Sequence, residues 1–285
     1  MSISEGAGNI SAEIIAHSIN TFGDELITMK LHYPRFIHSE FMTHRMFSRN
    51  ASSSRAIPVS KVIDQVMENP AMPIHWGKNQ AGMQAHGEVT DMAKEGAKEL
   101  WISSAKEAAR NAKILSDIGV HKQVVNRILE PYQFMNVIVS ATNYNNFFWL
   151  RDHEDAQPEI RELAIQMKNA IKKSKPELLY EGEYHTPYVE HERVNDILNY
   201  YVNGNEVDEM DAIKVSASCC AQVSYRLLDN SLEKAINIFD RLVTSEPIHA
   251  SPFEHIATPI ETNEWSGNFK GWKQFRKTLK NEALS

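Results

Sequence analysis

The chain has 285 residues, 42% of them hydrophobic and 24% charged, and its 30 basic against 37 acidic side chains leave a formal charge of −7. That length and apolar share can bury a sizeable core, while the acidic balance excludes a general binder of nucleic acid or of anionic membrane, which needs a broad basic face. The two cysteines, Cys219 and Cys220, are adjacent, a poor disulfide pair without metal-ligand spacing, and read as small core residues in a reducing compartment. No apolar run approaches the roughly 20 residues of a membrane span. Residues 1–9 lack the basic start and apolar core of a signal peptide, so a cytoplasmic protein is expected.

Taken in order, residues 12–19 and 26–31 are β-like runs separated by Asn20-Thr21-Phe22-Gly23-Asp24, a hairpin pattern. Tyr33-Pro34 ends the second run and opens a short helix to Met42 that carries Glu40. Residues 43–55 then hold three arginines, one histidine, four serines and an asparagine. Such a density of donors suits an anion: hydroxyls and closely spaced N–H groups from the serines, a planar fork from Arg55. A short helix is expected over 61–68. Residues 70–84, rich in Pro, Gly, Asn and Gln, are too long and polar for a plain connection and read as a lid or substrate platform.

The longest helix is expected over 88–117, with Val89, Met92, Ala93, Leu100, Ala105, Ala108, Ala112 and Leu115 on its inner face and Gly119 as its cap. A helix over 121–129 presents Arg127. Residues 132–150 mix β-branched and aromatic residues with the cluster Asn143-Tyr144-Asn145-Asn146, and Arg151 follows. Pro158 opens an amphipathic helix to Lys173. Residues 176–206 read as mixed loop and short helix. Residues 211–225 precede a helix over 232–243, with Leu232, Ala235, Ile236, Phe239 and Val243 facing inward. After His249-Ala250-Ser251-Pro252-Phe253-Glu254-His255, residues 268–280 read as a basic amphipathic helix docked on the body or on a neighbouring subunit.

His44, Arg45, Ser48, Asn50, Ser53 and Arg55 fall in the pattern His-Arg-x-x-Ser-x-Asn-x-x-Ser-x-Arg. It resembles the signature of the flavin-dependent thymidylate synthases. Arg127-Ile128-Leu129 with Pro131, the pair Asn143 and Asn146, and the stretch from Arg151 through Glu159-Ile160 resemble further segments of that family. Two more resembling segments stand out of order. Ala221-Gln222-Val223-Ser224-Tyr225 and His249 to His255 lie near the C-terminus here, but precede the serine loop in the family. The resemblance therefore implies one α+β domain over residues 1–285, with a central mixed or antiparallel sheet flanked by long helices and a circularly permuted chain order. The nucleotide and flavin loop would span 40–58, and 211–260 would be equivalent to the family's N-terminal segment. Permutation keeps packed contacts when termini lie close at the surface.

The resemblance also implies chemistry: reductive methylation of dUMP to dTMP with FAD, NADPH and methylenetetrahydrofolate, in a homotetramer whose sites are shared between subunits. Ser53, Ser54 and Arg55 would hold the nucleotide phosphate, Arg127 would help clamp the nucleotide, and Arg151 would stabilise charge developing on the ring. His44, Arg45, Asn50, Asn143, Asn145, Asn146, His249, Ser251 and Glu254 would line the FAD site. No metal-ligand spacing and no Gly-x-Gly-x-x-Gly turn occur. Three positions depart from the family: Thr43 stands for Arg, Ala51 for Glu and Glu40 for Gln. Glu40 and Thr43 would belong to the substrate pocket. A carboxylate only accepts hydrogen bonds where an amide does both, so another pyrimidine deoxynucleotide such as dCMP, release at the hydroxymethyl level, or a flavin- and nucleotide-binding homologue without turnover are the alternatives.

Overall fold

The computed structural model describes residues 2–224, 228–280 and 282. The body is a mixed sheet ordered β1-β2-β3-β5-β4, made of β1 (Ser2–Glu5), β2 (Ser11–Ile19), β3 (Glu25–Pro34), β4 (Ser48–Ala51) and β5 (Phe134–Ala141), with β6 (Glu177–Leu178) parallel to β2. All other pairings are antiparallel. The expected hairpin is β2–β3. Its turn is closed by Asn20, whose side-chain oxygen accepts from the N–H groups of Phe22 and Asp24 at 3.0 and 2.9 Å, an Asx arrangement. β3 runs through the middle of the sheet, which is why Leu26, Ile27, Met29, Leu31 and Tyr33 are buried without strict alternation.

Among the described residues the helices are α1 (His38–Phe41), α2 (Val59–Glu68), α3 (Asp91–Asp117), α4 (Lys122–Val125), α5 (Asn145–Arg151), α6 (Pro158–Lys173), α7 (Glu209–Ala221) and α8 (Leu232–Thr244). Pro158 starts α6 as expected, and its apolar stripe, Ile160, Leu163, Ala164, Met167 and Ala170, packs on the face of the sheet formed by Ile14, Met29 and Leu31. Burying a side chain of that size stabilises by about 1.5–3 kcal/mol.

α3 starts later than expected, at Asp91, where the Thr90 hydroxyl accepts from Ala93 N. Its buried side is an alanine stripe, Ala105, Ala109 and Ala112, against Val62 and Val66 of α2. Met92 and Leu100, expected inside, are 87% and 72% exposed. Small residues let the helices approach closely, so the larger ones fall on the opposite face. On α8, Ile236 is likewise exposed while Ala235 is buried.

Two other expectations are corrected. Residues 176–206 hold a three-stranded meander, β7 (Glu190–Val194), β8 (Ile197–Val202) and β9 (Asn205–Val207), rather than loop and short helix. Leu198, Tyr200 and Val202 point inward from β8, and charged residues of β7 face out. Residues 268–280 are not a helix. After β10 (Ala257–Pro259) and β11 (Trp265–Ser266) come β12 (Phe269–Lys270), β13 (Trp272–Gln274) and one 3-10 turn, Phe275–Thr278. Gly267 and Gly271, at φ of 65° and 71°, break the helical path.

β13 pairs with β10 and lies against the hairpin turn. The Asn20 amide donates to Gly271 O at 3.0 Å and Trp272 Nε1 donates to Asp24 O at 3.1 Å. A Cβ on Gly271 would come within 2.5 Å of Asn20 Nδ2 and 2.8 Å of Asp24 Oδ2. Cys219 and Cys220 are buried on α7, with burial raising the Cys219 thiol to about 12, which fits their core reading. Tyr225, part of the motif beginning at Ala221, lies outside the described residues.

Candidate active site

The rim of the site is built where β3 hands over to α1. Pro34 ends the strand, α1 makes one turn, and Arg49 ties its end by donating to Met42 O at 3.0 Å. An aromatic cluster of Phe41, Phe47, Tyr144 and Phe147 beneath this turn fixes it to α5. α5 in turn is started by Asn143, whose side-chain oxygen accepts from Asn145 N at 2.7 Å. The two turns thereby set His44 and Arg151 face to face.

Arg151 donates through Nε to His44 Nε2 at 2.9 Å and through Nη1 to the Glu40 carboxylate, and its Nη2 lies 3.5 Å from Thr43 Oγ1. Guanidinium cannot accept, so His44 Nε2 must carry a lone pair and the proton sits on Nδ1. Burial, with the charges of Arg151 and Arg49 beside it, pushes His44 down to about 4, which keeps the ring neutral at pH 7. Two of the three departures from the family pattern, Glu40 and Thr43, are thus the partners of Arg151.

Arg151 is shared by two cavities. One, of about 510 Å³, is lined by Thr43, His44, Arg45, Asn143, Asn145, Asn146 and Arg151 over the apolar Phe47 and Phe147. Trp265 and Asn268 close it from the C-terminal tail. Asn268 reaches Met46 O and Ser48 Oγ at 2.9 and 3.0 Å. Sequence reasoning missed both: it places Asn268 on a helix, and Trp265 precedes that stretch outside any motif. The only available cue was the glycine on either side of that stretch, Gly267 and Gly271.

The other cavity, of about 1150 Å³, lies between Glu40, Arg151, the start of α6 and the loop 74–87. This is the loop expected as a lid or platform. Its base is tied by Glu88, which accepts from Trp76 N at 3.0 Å and pairs with Lys94 at 2.8 Å. Glu159, buried in the first turn of α6, accepts from Ile74 N at 2.8 Å.

The remaining candidates stand apart from Arg151. The serine loop leaves β4 at the edge of the sheet; Ser53 N donates to Ser224 Oγ at 2.8 Å and Ser54 O accepts from Asn126 Nδ2 at 2.7 Å. Arg55 is exposed beside it, and Arg127 pairs with Glu130 at 2.8 Å on the surface. Asn50 donates to Cys220 O at 3.1 Å. His249 is exposed and lines a third cavity, of about 460 Å³, with Gln222, Arg241 and Leu242. Ser251 and Glu254 belong to a turn packed on β4, where Glu254 pairs with Arg276. None of Ser53, Ser54, Arg55, Arg127 or His249 lines either cavity that contains Arg151.

The smaller cavity has the donor set a flavin ring requires: amides that both donate and accept, two arginines, and aromatic faces. Its volume suits a ring system rather than a whole dinucleotide. Among the described residues, no group of three or more His, Cys, Asp or Glu is placed to hold a metal, and no helix is long and apolar enough to cross a membrane.

The family model described as thymidylate synthase complementing protein matches residues 17–177, which contain the end of β2, β3 to β5, the serine loop and Arg151 but not His249, Ser251 or Glu254. A flavin-dependent thymidylate synthase of Saccharolobus solfataricus is 29% identical over 167 residues, 58% of this chain and 54% of that protein. The chain therefore spans about half the length of the curated relative it matches. Among solved structures, a UMP/dUMP methylase PolB from Streptomyces cacaoi bound with 5-Br UMP aligns with a TM-score of 0.48 at 16% identity, over 59% of this chain and 91% of its own. The same enzyme bound with 5-Br dUMP aligns at 0.46 and 15%, over 60% and 93%.

Proposed function

Because the chain belongs to the thymidylate synthase complementing protein family, we propose that it carries out reductive methylation at C5 of a pyrimidine deoxynucleotide, dUMP to dTMP in the parent reaction, with methylenetetrahydrofolate as carbon donor and NADPH as reductant. The observation that carries this reading is Arg151, held by His44, Glu40 and Thr43 at the junction of the two cavities. His44, Arg45, Asn143, Asn145, Asn146 and Asn268 would hold FAD in the smaller cavity, with Asn50, His249, Ser251 and Glu254 completing its site. When bound, FAD supplies the hydride chemistry.

The residues of this chain position and polarise. Arg151 stabilises negative charge on the ring as C5 becomes nucleophilic, at an effective strength set by its partly dry surroundings. Neutral His44 fixes the guanidinium plane without adding a second positive charge. Ser53, Ser54 and Arg55, with Arg127, would take the phosphate. They do not meet Arg151 within one chain, which supports a homotetramer in which a second copy brings them to it. The exposed Met92, Leu100 and Ile114 of α3 give such an assembly apolar surface to bury. Residues 211–260 would stand in for the family's N-terminal segment, a permuted order supported by the packing of the Ser251–Glu254 turn on β4 and by the bond from His255 Nδ1 to Ser140 Oγ at 2.8 Å.

One observation favours a second reading, another pyrimidine deoxynucleotide such as dCMP, or release at the hydroxymethyl level: the carboxylate of Glu40 stands where the family has an amide. The test is turnover of dUMP by the flavin-loaded protein with methylenetetrahydrofolate and NADPH, the product identified by mass. A methyl or hydroxymethyl group gained by dUMP, or by dCMP tested in the same way, is expected; bound flavin with neither nucleotide changed would leave a binding protein and sink the enzymatic reading.

A further inference from the structure

Arg151 is engaged on three sides by the protein. Nε is committed to His44, Nη1 gives one hydrogen to Glu40 and Nη2 one toward Thr43. One hydrogen on each terminal nitrogen remains for a ligand. In the larger cavity, which Glu40 and Arg151 line together, the wall has a fixed order: carboxylate acceptor, then guanidinium donors. The edge of a 4-aminopyrimidine reads amino donor, ring-nitrogen acceptor, carbonyl acceptor, and matches that order: the amino group gives to Glu40, and the ring nitrogen and carbonyl accept the two remaining guanidinium hydrogens. The uracil edge reads carbonyl, N–H, carbonyl. Set in the same place, it would put a carbonyl oxygen against a carboxylate. Shifted by one atom, it would give its N–H to Glu40 but leave one carbonyl beyond the donors. An amide at position 40 could rotate to serve either ring, whereas a carboxylate cannot.

We infer that Glu40 is a specificity-determining residue that makes this wall select a 4-aminopyrimidine, so that the nucleotide substrate is of the cytosine class. The inference rests on the reading of Arg151 as the residue that meets the pyrimidine ring. Thr43 supports it, since an arginine there would add a second flanking donor of the kind uracil requires, and threonine does not. The discrimination is that of one charge-assisted hydrogen bond, roughly 10- to 100-fold in affinity.

The experiment is calorimetric titration of the flavin-loaded, full-length protein with dCMP, with dUMP and with the 2-pyrimidinone deoxynucleotide, which is dCMP without its amino group. Wild type should bind dCMP about 10- to 100-fold more tightly than either of the others, and Glu40→Gln should bring the dCMP-to-dUMP ratio to near one. The 2-pyrimidinone comparison needs no variant, so it stands even where Glu40→Gln does not fold. Equal or tighter binding of dUMP by wild type, or a ratio unmoved by Glu40→Gln, overturns the role of Glu40 while leaving C5 methylation in place. Binding of no nucleotide at all overturns the methylation reading itself.

Discussion

A buried polar chain crosses the sheet: Ser18 Oγ meets His185 Nδ1 at 2.8 Å, His185 Nε2 meets Thr28 Oγ1 at 2.8 Å, Thr28 meets Ser140 Oγ at 2.6 Å, and Ser140 meets His255 Nδ1 at 2.8 Å. His255 is fully buried, its Nε2 has no partner among the described residues, and burial pushes its pKa down to about 3 from 6.5. The folded ring therefore stays neutral while the unfolded ring takes a proton as pH falls below 6.5. Its contribution to stability is fully present above 6.5 and declines by about 1.4 kcal/mol per pH unit below it, until the folded ring titrates.

From pH 7 to pH 5 that is about 2 kcal/mol. His255→Asn keeps an amide atom near the position of Nδ1 and removes the titration. The variant should be less stable at pH 7, because the ring leaves a cavity. Its deficit should narrow by about 2 kcal/mol at pH 5. Urea midpoints for both proteins at several pH values between 7 and 5 measure the difference. Parallel pH profiles would refute the reasoning, since they would mean that the ring gains its proton equally in both states.

In catalysis, Arg55→Ala should mainly raise KM for the nucleotide, whereas Arg151→Ala should lower kcat by roughly 30- to 1,000-fold with little change in nucleotide binding; equal effects of the two on affinity alone would contradict the division between phosphate and ring. His249→Ala should lower flavin occupancy of the purified protein, read from the ratio of flavin to protein absorbance, and a fully flavinated variant would remove His249 from the cofactor site. Gly271→Ala combines a left-handed φ of 71° with a clash on Asn20 and Asp24, so thermal unfolding should show a loss of at least about 1–2 kcal/mol; an unchanged melting temperature would mean that the tail does not press on the hairpin turn.

The hairpin of β2 and β3 was legible because apolar alternation and an Asn-to-Asp turn specify it locally, and α6 because Pro158 fixes its first turn. Thr43, His44, Arg45, Asn143, Asn145, Asn146 and Arg151 were picked from motif positions some hundred residues apart, and one cavity gathers them. The meander at 190–207 was hidden because the more buried positions of β7 are polar, His191 and Arg193, in a strand too short to display a period. Phe269, Trp272 and Phe275 recur every third residue and so mimic a helix face, although Phe269 and Trp272 are buried in one cluster and Phe275 in another. On α3 the large apolar residues misled, since the packed side is alanine. The pairing of Arg151 with Glu40 could not be read at all, because it is a contact across 111 positions of sequence.

The base of the loop over the larger cavity is held by backbone bonds from Lys78 N to Gly87 O and from Val89 N to Trp76 O, and by one half-buried carboxylate, Glu88. The tie of Glu88 to Lys94 is a partly solvated ion pair, of the kind that contributes little and is screened by salt. Ionic strength thus weakens one tie at the base of that loop, away from the sheet and from Arg151. Met83, 95% exposed near the glycine at 82, is the loop's most accessible large apolar residue. Its thioether is therefore a natural reporter of how far the roof stands open, oxidising quickly when the loop lifts free and slowly when it lies against whatever fills the space beneath.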